Sequence, residues 1–374
     1  MKQTQKHIVI DARTRLSSTG RYIDRLIEHL QIIDTQNRYT ILLRPDDTWK
    51  PSSKKFKTLV CRYRQFSFNI LDQINFAVFL KKLNPDLVHF GMAPQEPLFY
   101  GGKRVTTLHD LTMLRFARAG RLPRWLHFIR MTGYRILLRL SLKKAARIIV
   151  PTEFVKQDVL KYLPINSRKV ITTLEAAEAP LKADAVKPGQ VSDSFILYVG
   201  SAFPHKNLER FVQAFNIVQE KHPELHLILV GKKELYYKQL ERFAKNSING
   251  AHITFTGFIE EESLKWLYEH AQAYVFPSLS EGFGLPGLEA MVHGCPVVSS
   301  NATCLPEVYG DAAHYFDPLD VQDMETKINE VLNDESLRSQ LIANGYQQIK
   351  KYSWSRMAQQ TLSIYTEVLN DQPS

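Results

Sequence analysis

Two glutamates bracket a glycine-rich turn in the second half of the chain, and the residue types at this turn suit the binding of an anionic ligand. The turn directly follows a short apolar run and leads into a predicted helix that begins near Pro286. Gly282 and Gly284 let the backbone approach a ligand closely, while the helix start directs free N–H groups at it. Glu281, before the turn, would face the reactive end of that ligand. Glu289, about one turn into the helix, is placed to accept two hydrogen bonds from vicinal hydroxyls.

The same glycines also fit a dinucleotide-binding fingerprint, GxGxxG. Its positions would be Gly282, Gly284 and Gly287, with Glu307 at a suitable distance for a ribose contact. Three features count against a nicotinamide cofactor: the motif lies far into the second half, Pro286 starts the helix inside the fingerprint, and two glutamates bracket it. For a single glutamate at a helix start, the alternative is stabilisation of the helix dipole at the surface. The accompanying glycines favour ligand binding.

Two positions in the first half follow predicted strands and are further candidates. The stretch 17–22 follows the first strand and opens a helix, so Gly20 is expected to bring backbone N–H groups to the ligand. A capped helix with a tight turn is an equal alternative. His109 ends the fifth strand, where a doubly wound sheet presents residues to its crevice; a buried, hydrogen-bonded core histidine is the competing interpretation. His89 ends the fourth strand in the same way and is a poorer candidate.

Short apolar, β-rich runs alternate with helical patterns in both halves of the chain. In the second half the runs recur at intervals of roughly 20 to 30 residues, which is the βαβ pattern of buried parallel sheets. We therefore predict an α/β protein of two doubly wound, Rossmann-like domains that face an interdomain cleft at the carboxyl ends of their strands. The predicted strands of the first half are Ile8–Asp11, Tyr39–Leu43, Leu59–Arg62, Asp86–Phe90, Val105–Leu108 and Arg147–Val150. Those of the second half are Phe195–Gly200, Leu225–Gly231, His252–Gly257, Ala273–Phe276 and Pro296–Ser299.

Net charge divides the chain near its middle. Residues 1–174 carry 32 Lys and Arg against 12 Asp and Glu, whereas residues 175–374 carry 16 against 26. The change coincides with a stretch containing Pro, Gly and Ala, which is typical of a domain linker. We assign residues 1–175 to an N-terminal domain, 176–190 to a linker and 191–352 to a C-terminal domain. Residues 353–374 form a C-terminal helix that we expect to return to the N-terminal domain.

Composition excludes several classes of protein. The chain has 374 residues, 44% of them apolar, with 18 Pro and 17 Gly, so collagen, disorder and low complexity are excluded. Three unevenly spaced cysteines, Cys61, Cys295 and Cys304, form neither a disulfide framework nor a CxxC metal motif. The sequence shows no signal peptide and no apolar stretch long enough to span a bilayer. We expect a soluble cytoplasmic protein, with peripheral attachment to the inner face of the cell membrane as the alternative.

A basic segment lies in the first half. From Leu111 to Thr152 there is no Asp or Glu. Its ten cations are Arg115, Arg118, Arg121, Arg124, Arg130, Arg135, Arg139, Lys143, Lys144 and Arg147. Apolar side chains are interleaved with them at near-helical spacing: Trp125, Phe128, Met131, Tyr134, Leu137 and Leu138. Such a helix can lie on an anionic membrane surface through residues 115–147. An ordinary domain helix with solvated arginines is an equal alternative, and non-specific nucleic-acid binding is a third.

The second half resembles the retaining glycosyltransferases of family 4, whose two Rossmann-like domains make up the fold called GT-B. The residues that carry the resemblance are the E-x7-E element from Glu281 to Glu289 with the surrounding Pro-Ser-Leu-Ser-Glu-Gly-Phe-Gly-Leu-Pro, and the stretches 289–298, 305–313 and 316–318. It also covers Tyr198-Val-Gly-Ser-Ala-Phe-Pro-His-Lys-Asn-Leu and, more weakly, the stretches 19–22 and 108–110 of the first half.

The resemblance implies transfer of a sugar, with retention of anomeric configuration, from a GDP- or UDP-linked donor to a hydroxyl of a glycan or lipid-linked acceptor. The first domain would bind the acceptor and the second the donor. Glu281 resembles the carboxylate that binds hydroxyls of the donor sugar, and Glu289 the one that binds the ribose. Lys206 resembles the cation that neutralises the leaving diphosphate, with a solvated surface lysine as the alternative, and His109 the acceptor-domain histidine near the sugar. The backbone cradle for the sugar and diphosphate corresponds to Phe283, Gly284 and Leu285.

The sequence departs from the family at one position. The family has an arginine just after the first strand of the second domain, where this chain has Ser201, so one half of a two-cation clamp is missing; His205 would substitute in part if protonated. No Asp-x-Asp triplet occurs, so we expect no essential metal and no cofactor besides the substrates.

Two alternatives share the fold. One is a non-catalytic protein that binds a polyanion or a membrane, and the other is a sugar-nucleotide epimerase or glycan phosphorylase. The retained Glu281, Glu289 and Lys206 favour the transferase.

Overall fold

A computed structural model of the chain describes residues 5–17, 19–65, 67, 69–116, 123–177, 184–189 and 191–371. The chain forms two compact units, one made of Met1–Glu175 with Ser353–Ser374 and the other of Ala176–Tyr352. Part of the linker predicted at 176–190 lies outside the described residues, as do Arg118 and Arg121 of the basic segment.

The first unit contains a seven-stranded parallel sheet. Its strands are β1 (His7–Asp11), β2 (Arg38–Leu43), β3 (Phe56–Val60), β4 (Leu87–Phe90), β5 (Arg104–Thr107), β6 (Arg147–Val150) and β7 (Val170–Thr172). The strand order is β3-β2-β1-β4-β5-β6-β7, so the direction of winding reverses between β1 and β4. At such a reversal the connections leave on opposite faces and open a crevice at the carboxyl ends of the strands.

Helices cover both faces of this sheet. They are α1 (Gly20–Ile33), α2 (Ile70–Leu83), α3 (Thr112–Arg115), α4 (Arg124–Lys144) and α5 (Glu153–Tyr162). Side chains that accept from backbone N–H groups begin two of them: Asn69 caps α2 and Thr152 caps α5.

The second unit contains a six-stranded parallel sheet of order β10-β9-β8-β11-β12-β13. Its strands are β8 (Phe195–Val199), β9 (His226–Val230), β10 (Ile253–Gly257), β11 (Ala273–Phe276), β12 (Val297–Ser300) and β13 (Ala313–Phe316). Its helices are α6 (Leu208–Lys221), α7 (Leu235–Lys245), α8 (Glu261–His270), α9 (Leu285–Val292), α10 (Leu305–Tyr309), α11 (Val321–Asn333) and α12 (Glu335–Gln348). Winding reverses here between β8 and β11.

The predicted fold class, α/β with two doubly wound parallel sheets, is confirmed. All eleven predicted strands are present, although β3 begins three residues earlier than expected, at Phe56. Two strands were not predicted, β7 and β13. All three cysteines are buried and free.

The last helix, α13 (Trp354–Asn370), packs on the first unit. The Tyr365 hydroxyl hydrogen-bonds Nδ1 of His89 on β4, and the Lys103 ammonium donates to the carbonyl of Val368 at 2.8 Å. Arg147 forms an ion pair with Glu367. No helix in the described part of the chain combines the length and hydropathy needed to span a membrane.

Candidate functional site

The predicted donor residues follow two strands that are neighbours in the second sheet. β8 pairs with β11, Ala273 opposite Ile196 and Tyr274 opposite Leu197, at the point where the winding reverses. Because parallel strands end at the same edge of a sheet, the segments after Val199 and after Phe276 meet there. This edge is where the structure places the glycine-rich turn.

Lys206 and Glu281 form an ion pair at this edge. The Lys206 Nζ lies 2.5 Å from Oε1 of Glu281, and both side chains are 14% exposed. Nζ also lies 5.3 Å above the ring of Phe276. The two segments are joined by the backbone as well, since the N–H of Leu279 donates to the carbonyl of His205 at 2.7 Å. Lys206 is therefore not a solvated surface lysine.

Gly284 begins α9 in a conformation that requires glycine. Its φ is +99°, and a Cβ atom there would lie 2.6 Å from the Tyr309 hydroxyl oxygen. That hydroxyl donates to the Gly284 carbonyl at 2.5 Å. Leu285 is the first residue of the helix, so Gly284 and Leu285 stand at the positive end of its dipole. A negatively charged ligand would be stabilised at this position.

The side chain of Phe283 belongs to the core. It is 5% exposed and meets the ring of Tyr352 edge-on at 5.5 Å. Gly282, the preceding residue, is also buried. The Phe283 side chain is therefore not placed to meet a ligand, and the backbone cradle at Phe283, Gly284 and Leu285 stays a prediction.

Glu289 lies on the first turns of α9 and is partly exposed. Its Oε2 accepts a hydrogen bond from the hydroxyl of Tyr268 at 3.3 Å. The backbone N–H of Glu281 donates to Oγ1 of Thr303 at 3.1 Å, and Thr303 has a φ of +56°. Tyr268, Thr303 and Tyr309 were not predicted, because each comes from another element and no local spacing marks it.

Ser201 stands where the family has an arginine, and His205 is the predicted partial substitute for that arginine. The Ser201 carbonyl accepts from the hydroxyl of Tyr198 at 2.7 Å, which fixes the turn after β8. His205 is 5% exposed, and its ring stacks on that of Phe203 with centroids 6.0 Å apart. Partial replacement of the arginine by His205 stays a prediction.

In the first unit, His109 is held between two acceptors. Its Nε2 lies 3.1 Å from the Gly91 carbonyl and its Nδ1 lies 3.3 Å from Oε1 of Glu175. The ring of Tyr22 meets it edge-on at 5.1 Å. Since a carbonyl and a carboxylate only accept, the imidazole satisfies both by carrying a proton on each nitrogen. Burial lowers the pKa of His109, but the hydrogen bond and charge of Glu175 outweigh burial, and the pKa is raised above its usual value.

This pair makes stability depend on pH. A histidine whose pKa is higher folded than unfolded contributes stability that is fully present below the unfolded value and is lost as pH rises through the folded one. We expect the free energy of unfolding of the wild type, minus that of His109→Gln, to be larger at pH 5.5 than at pH 9. Urea unfolding of both proteins at each pH measures this difference. Contributions from titratable groups that the substitution does not affect cancel in the subtraction. A difference that stays constant or grows with pH would contradict the pairing.

Two other candidates of the first unit have clear structural roles. Gly20 is the first residue of α1, its N–H donates to the Ser17 carbonyl at 2.9 Å, and a Cβ atom would lie 1.8 Å from the carbonyl oxygen of Arg15. Its own amide is thus already paired. His89 is fully buried and hydrogen-bonds Thr107 and Tyr365. Burial, together with the nearby His109, lowers the pKa of His89 to about 3, which makes it a neutral core histidine.

Two family models match the chain. The model described as glycosyl transferases group 1 matches residues 183–348, and the model described as glycosyltransferase family 4 matches residues 20–173. Together they cover the residues of both units that carry the candidate sites.

Relatives and solved structures agree with these matches. The O-antigen chain mannosyltransferase B of Escherichia coli is 31% identical over 272 residues, which are 70% of this chain and 70% of that protein. Sucrose-phosphate synthase from Thermosynechococcus elongatus has a TM-score of 0.78 at 19% identity and covers 97% of this chain and 99% of its own. WaaG, a glycosyltransferase involved in lipopolysaccharide biosynthesis, has a TM-score of 0.73 at 15% identity, covering 96% and 99%. These two structures support the predicted GT-B fold.

Proposed function

Since the chain belongs to the group 1 glycosyl transferases, we propose that it moves a hexose, in the first place mannose, from a nucleotide diphosphate sugar to a hydroxyl of a glycan or lipid-linked acceptor. The chain is a glycosyltransferase; the donor, the acceptor, retention of configuration and independence of metal are parts of the proposal. Mannose is favoured by the mannosyltransferase relative, and a GDP- or UDP-linked donor by the family resemblance. The observation that carries the proposal is the Lys206–Glu281 ion pair beside the start of α9.

Departure of the diphosphate places negative charge on the oxygen that leaves the sugar. Lys206 and the N-terminal end of α9 would stabilise this charge more in the transition state than in the bound donor. Glu281 would bind hydroxyls of the sugar, and Glu289 the vicinal hydroxyls of the ribose. The protein's own cation and backbone dipoles thus supply the charge stabilisation for which other enzymes use a metal ion.

His109 is assigned to positioning and polarisation of the acceptor through the positive charge of its ring, since both ring nitrogens face Gly91 and Glu175. An imidazole that donates from both nitrogens, to Gly91 and to Glu175, has no lone pair left to accept a proton. We therefore assign His109 no obligatory general-base work. The departing diphosphate would take the proton of the acceptor hydroxyl as the new bond forms on the same face of the sugar.

The proposal is tested with a panel of nucleotide sugars containing GDP-mannose, UDP-glucose, UDP-galactose and UDP-N-acetylglucosamine. We expect one donor to raise the melting temperature and to release its nucleoside diphosphate, because a ligand that binds only the folded state stabilises it. Release of no nucleotide from any donor, with or without glycan acceptors, would reject the transferase. A new nucleotide sugar without release would indicate an epimerase, and sugar phosphate formed only with added phosphate would indicate a phosphorylase.

A further inference from the structure

Helix α4 has two apolar faces, and only one of them is buried. Met131, Leu137 and Leu138, which the sequence analysis placed in one apolar set with Trp125 and Phe128, pack in the core. Trp125 and Phe128 are 66% and 67% exposed. The large apolar side chains of this helix that stand exposed are Trp125, Leu126, Phe128, Ile129, Ile136 and Leu140. At about 100° per residue, all of these side chains except Leu126 lie on one arc of about 120° around the helix axis. This arc is opposite the side that faces the core.

Helix α2 has the same two-faced character. Phe76 and Leu80 are buried, whereas Leu71, Ile74 and Val78 are 69%, 39% and 45% exposed. The exposed three stand at positions i, i+3 and i+7, so they form one stripe along the helix. The sequence analysis did not single out this stripe.

The two helices cover the same face of the first sheet. Phe90, Thr106 and Ile148 occupy matching positions on β4, β5 and β6, so their side chains point to one face. α2 packs against Phe90 on this face, and α4 packs against Ile148.

Leu98 connects the two helices. Its N–H donates to Oε1 of Gln73 on α2 at 2.9 Å, and its carbonyl accepts from the ammonium of Lys144 on α4. The next residue, Phe99, is 57% exposed and lines a groove with Ile74 and Val78. The apolar residues of this surface, which we call the apolar face, are Ile70, Leu71, Ile74, Val78, Phe99, Trp125, Phe128, Ile129, Ile136 and Leu140.

The charges beside the apolar face have one dominant sign. Arg139, Lys143 and Lys144 are exposed on α4, which has no acidic residue, and two further exposed lysines end α2 against a single acid, Asp72. A second copy of the chain packed on this face would bring cations against cations. A nucleic acid would leave the aliphatic side chains without a partner, because they offer no ring for bases to stack on. An anionic bilayer provides both hydrocarbon and negative charge.

We propose that the apolar face docks on an anionic lipid bilayer, with Trp125, Phe128 and Ile129 entering the boundary of the acyl chains and the cations of α4 contacting lipid phosphates. The proposal deepens the proposed function, on which it rests for a lipid-linked acceptor. Docking in this way holds the first unit at the surface that carries such an acceptor.

Trp125 provides a direct test. The other tryptophans are less exposed: Trp266 and Trp354 are buried and Trp49 is half-buried. We expect vesicles that contain phosphatidylglycerol and brominated acyl chains to quench the tryptophan fluorescence of the wild type. Pure phosphatidylcholine vesicles with equally brominated acyl chains should not quench it. Trp125→Phe should keep vesicle binding in co-sedimentation but lose most of the quenching. Quenching that survives this substitution would place another surface on the bilayer.

Matched variants distinguish insertion of the apolar face from non-specific hydrophobic binding to vesicles. The double variant Trp125→Ser with Phe128→Ser should weaken binding to the anionic vesicles at least about tenfold. The reason is that two large apolar side chains are no longer transferred from water into the bilayer. The control pair is Ile248→Ser with Phe258→Ser, which removes apolar side chains that are 87% and 70% exposed on the second unit and should leave binding unchanged. Equal binding by both double variants would overturn the proposal.

Charge is tested in the same way. Reversal of Arg135, Arg139 and Lys143 to Glu should abolish binding, and raised salt should weaken binding of the wild type. Reversal of Lys238, Lys245 and Lys350, exposed lysines of the second unit, is the control and should retain binding.

These experiments can also assign the apolar face to a different partner. A dimer in sedimentation equilibrium that Trp125→Ser with Phe128→Ser dissociates would assign the face to a second copy, and RNA that displaces the protein from vesicles would assign it to nucleic acid. Either result overturns the proposal. Release of nucleoside diphosphate is measured without vesicles, so loss of the proposed function and loss of docking are scored separately.

Discussion

Replacing Glu281 with glutamine is expected to lower turnover about a hundredfold or more while leaving the affinity for the nucleoside diphosphate nearly unchanged. Glutamine keeps the shape of the side chain and can still accept a hydrogen bond from Lys206, which lies 2.5 Å from the carboxylate. The backbone bond from Glu281 to Thr303 does not involve the side chain, so the turn keeps its conformation. If Glu281 binds the donor sugar as proposed, the substitution removes the negative charge beside the sugar, where positive charge develops as the diphosphate leaves.

Glu289→Ala is the matched control for this prediction. Loss of two ribose hydrogen bonds to a charged group, each worth roughly 1.5 to 3 kcal/mol, should weaken binding of the nucleoside diphosphate more than tenfold. Steady-state kinetics and calorimetry on both variants separate the roles. Near wild-type turnover in Glu281→Gln, or unchanged nucleotide affinity in Glu289→Ala, would remove the corresponding assignment.

The sequence predicted the elements that hold this site because the strands on either side of the reversal are almost entirely buried. β8 and β11 are nearly continuous apolar runs, so their ends, and the residues that follow them, could be located from the pattern alone. The two unpredicted strands, β7 and β13, are the outermost strands of their sheets. Both are short, with three and four residues, and only partly buried, so they leave no continuous apolar run to detect.

Partners that act over long sequence distances could not be predicted. Glu175 meets His109 from 66 residues away, and Tyr309 meets Gly284 from 25 residues away. No periodicity marks either residue, because the sheet topology alone brings them together. The same limit applies to α4: its apolar residues were visible in the sequence, but which of them face the core depends on the sheet beneath.

Replacing Lys206 with alanine is expected to reduce turnover about 10²- to 10³-fold, the cost of removing one charge donor from a developing anion. The structure adds a second consequence. Without its partner at 2.5 Å, the Glu281 carboxylate, only 14% exposed, faces the incoming diphosphate with its full charge. Lys206→Ala should therefore also weaken binding of the nucleoside diphosphate, by repulsion as well as by lost attraction.

The double variant Lys206→Ala with Glu281→Gln tests this coupling. If Lys206 screens Glu281 from the diphosphate, removing the carboxylate should restore part of the nucleotide affinity that Lys206→Ala loses, so the two effects on binding will not add. Calorimetry on the wild type and the three variants gives this cycle, with thermal unfolding as the control for intact folding. Additive effects would show that Lys206 and Glu281 act independently on the nucleotide.

The same lysine bears on the proposed independence from metal. If Lys206 and the start of α9 neutralise the diphosphate, turnover by the wild type should survive exhaustive chelation, and manganese or magnesium should not rescue Lys206→Ala. Wild-type turnover that disappears in chelator and returns with either ion would reject the metal-free mechanism, because a divalent cation would then supply the charge assigned here to the lysine.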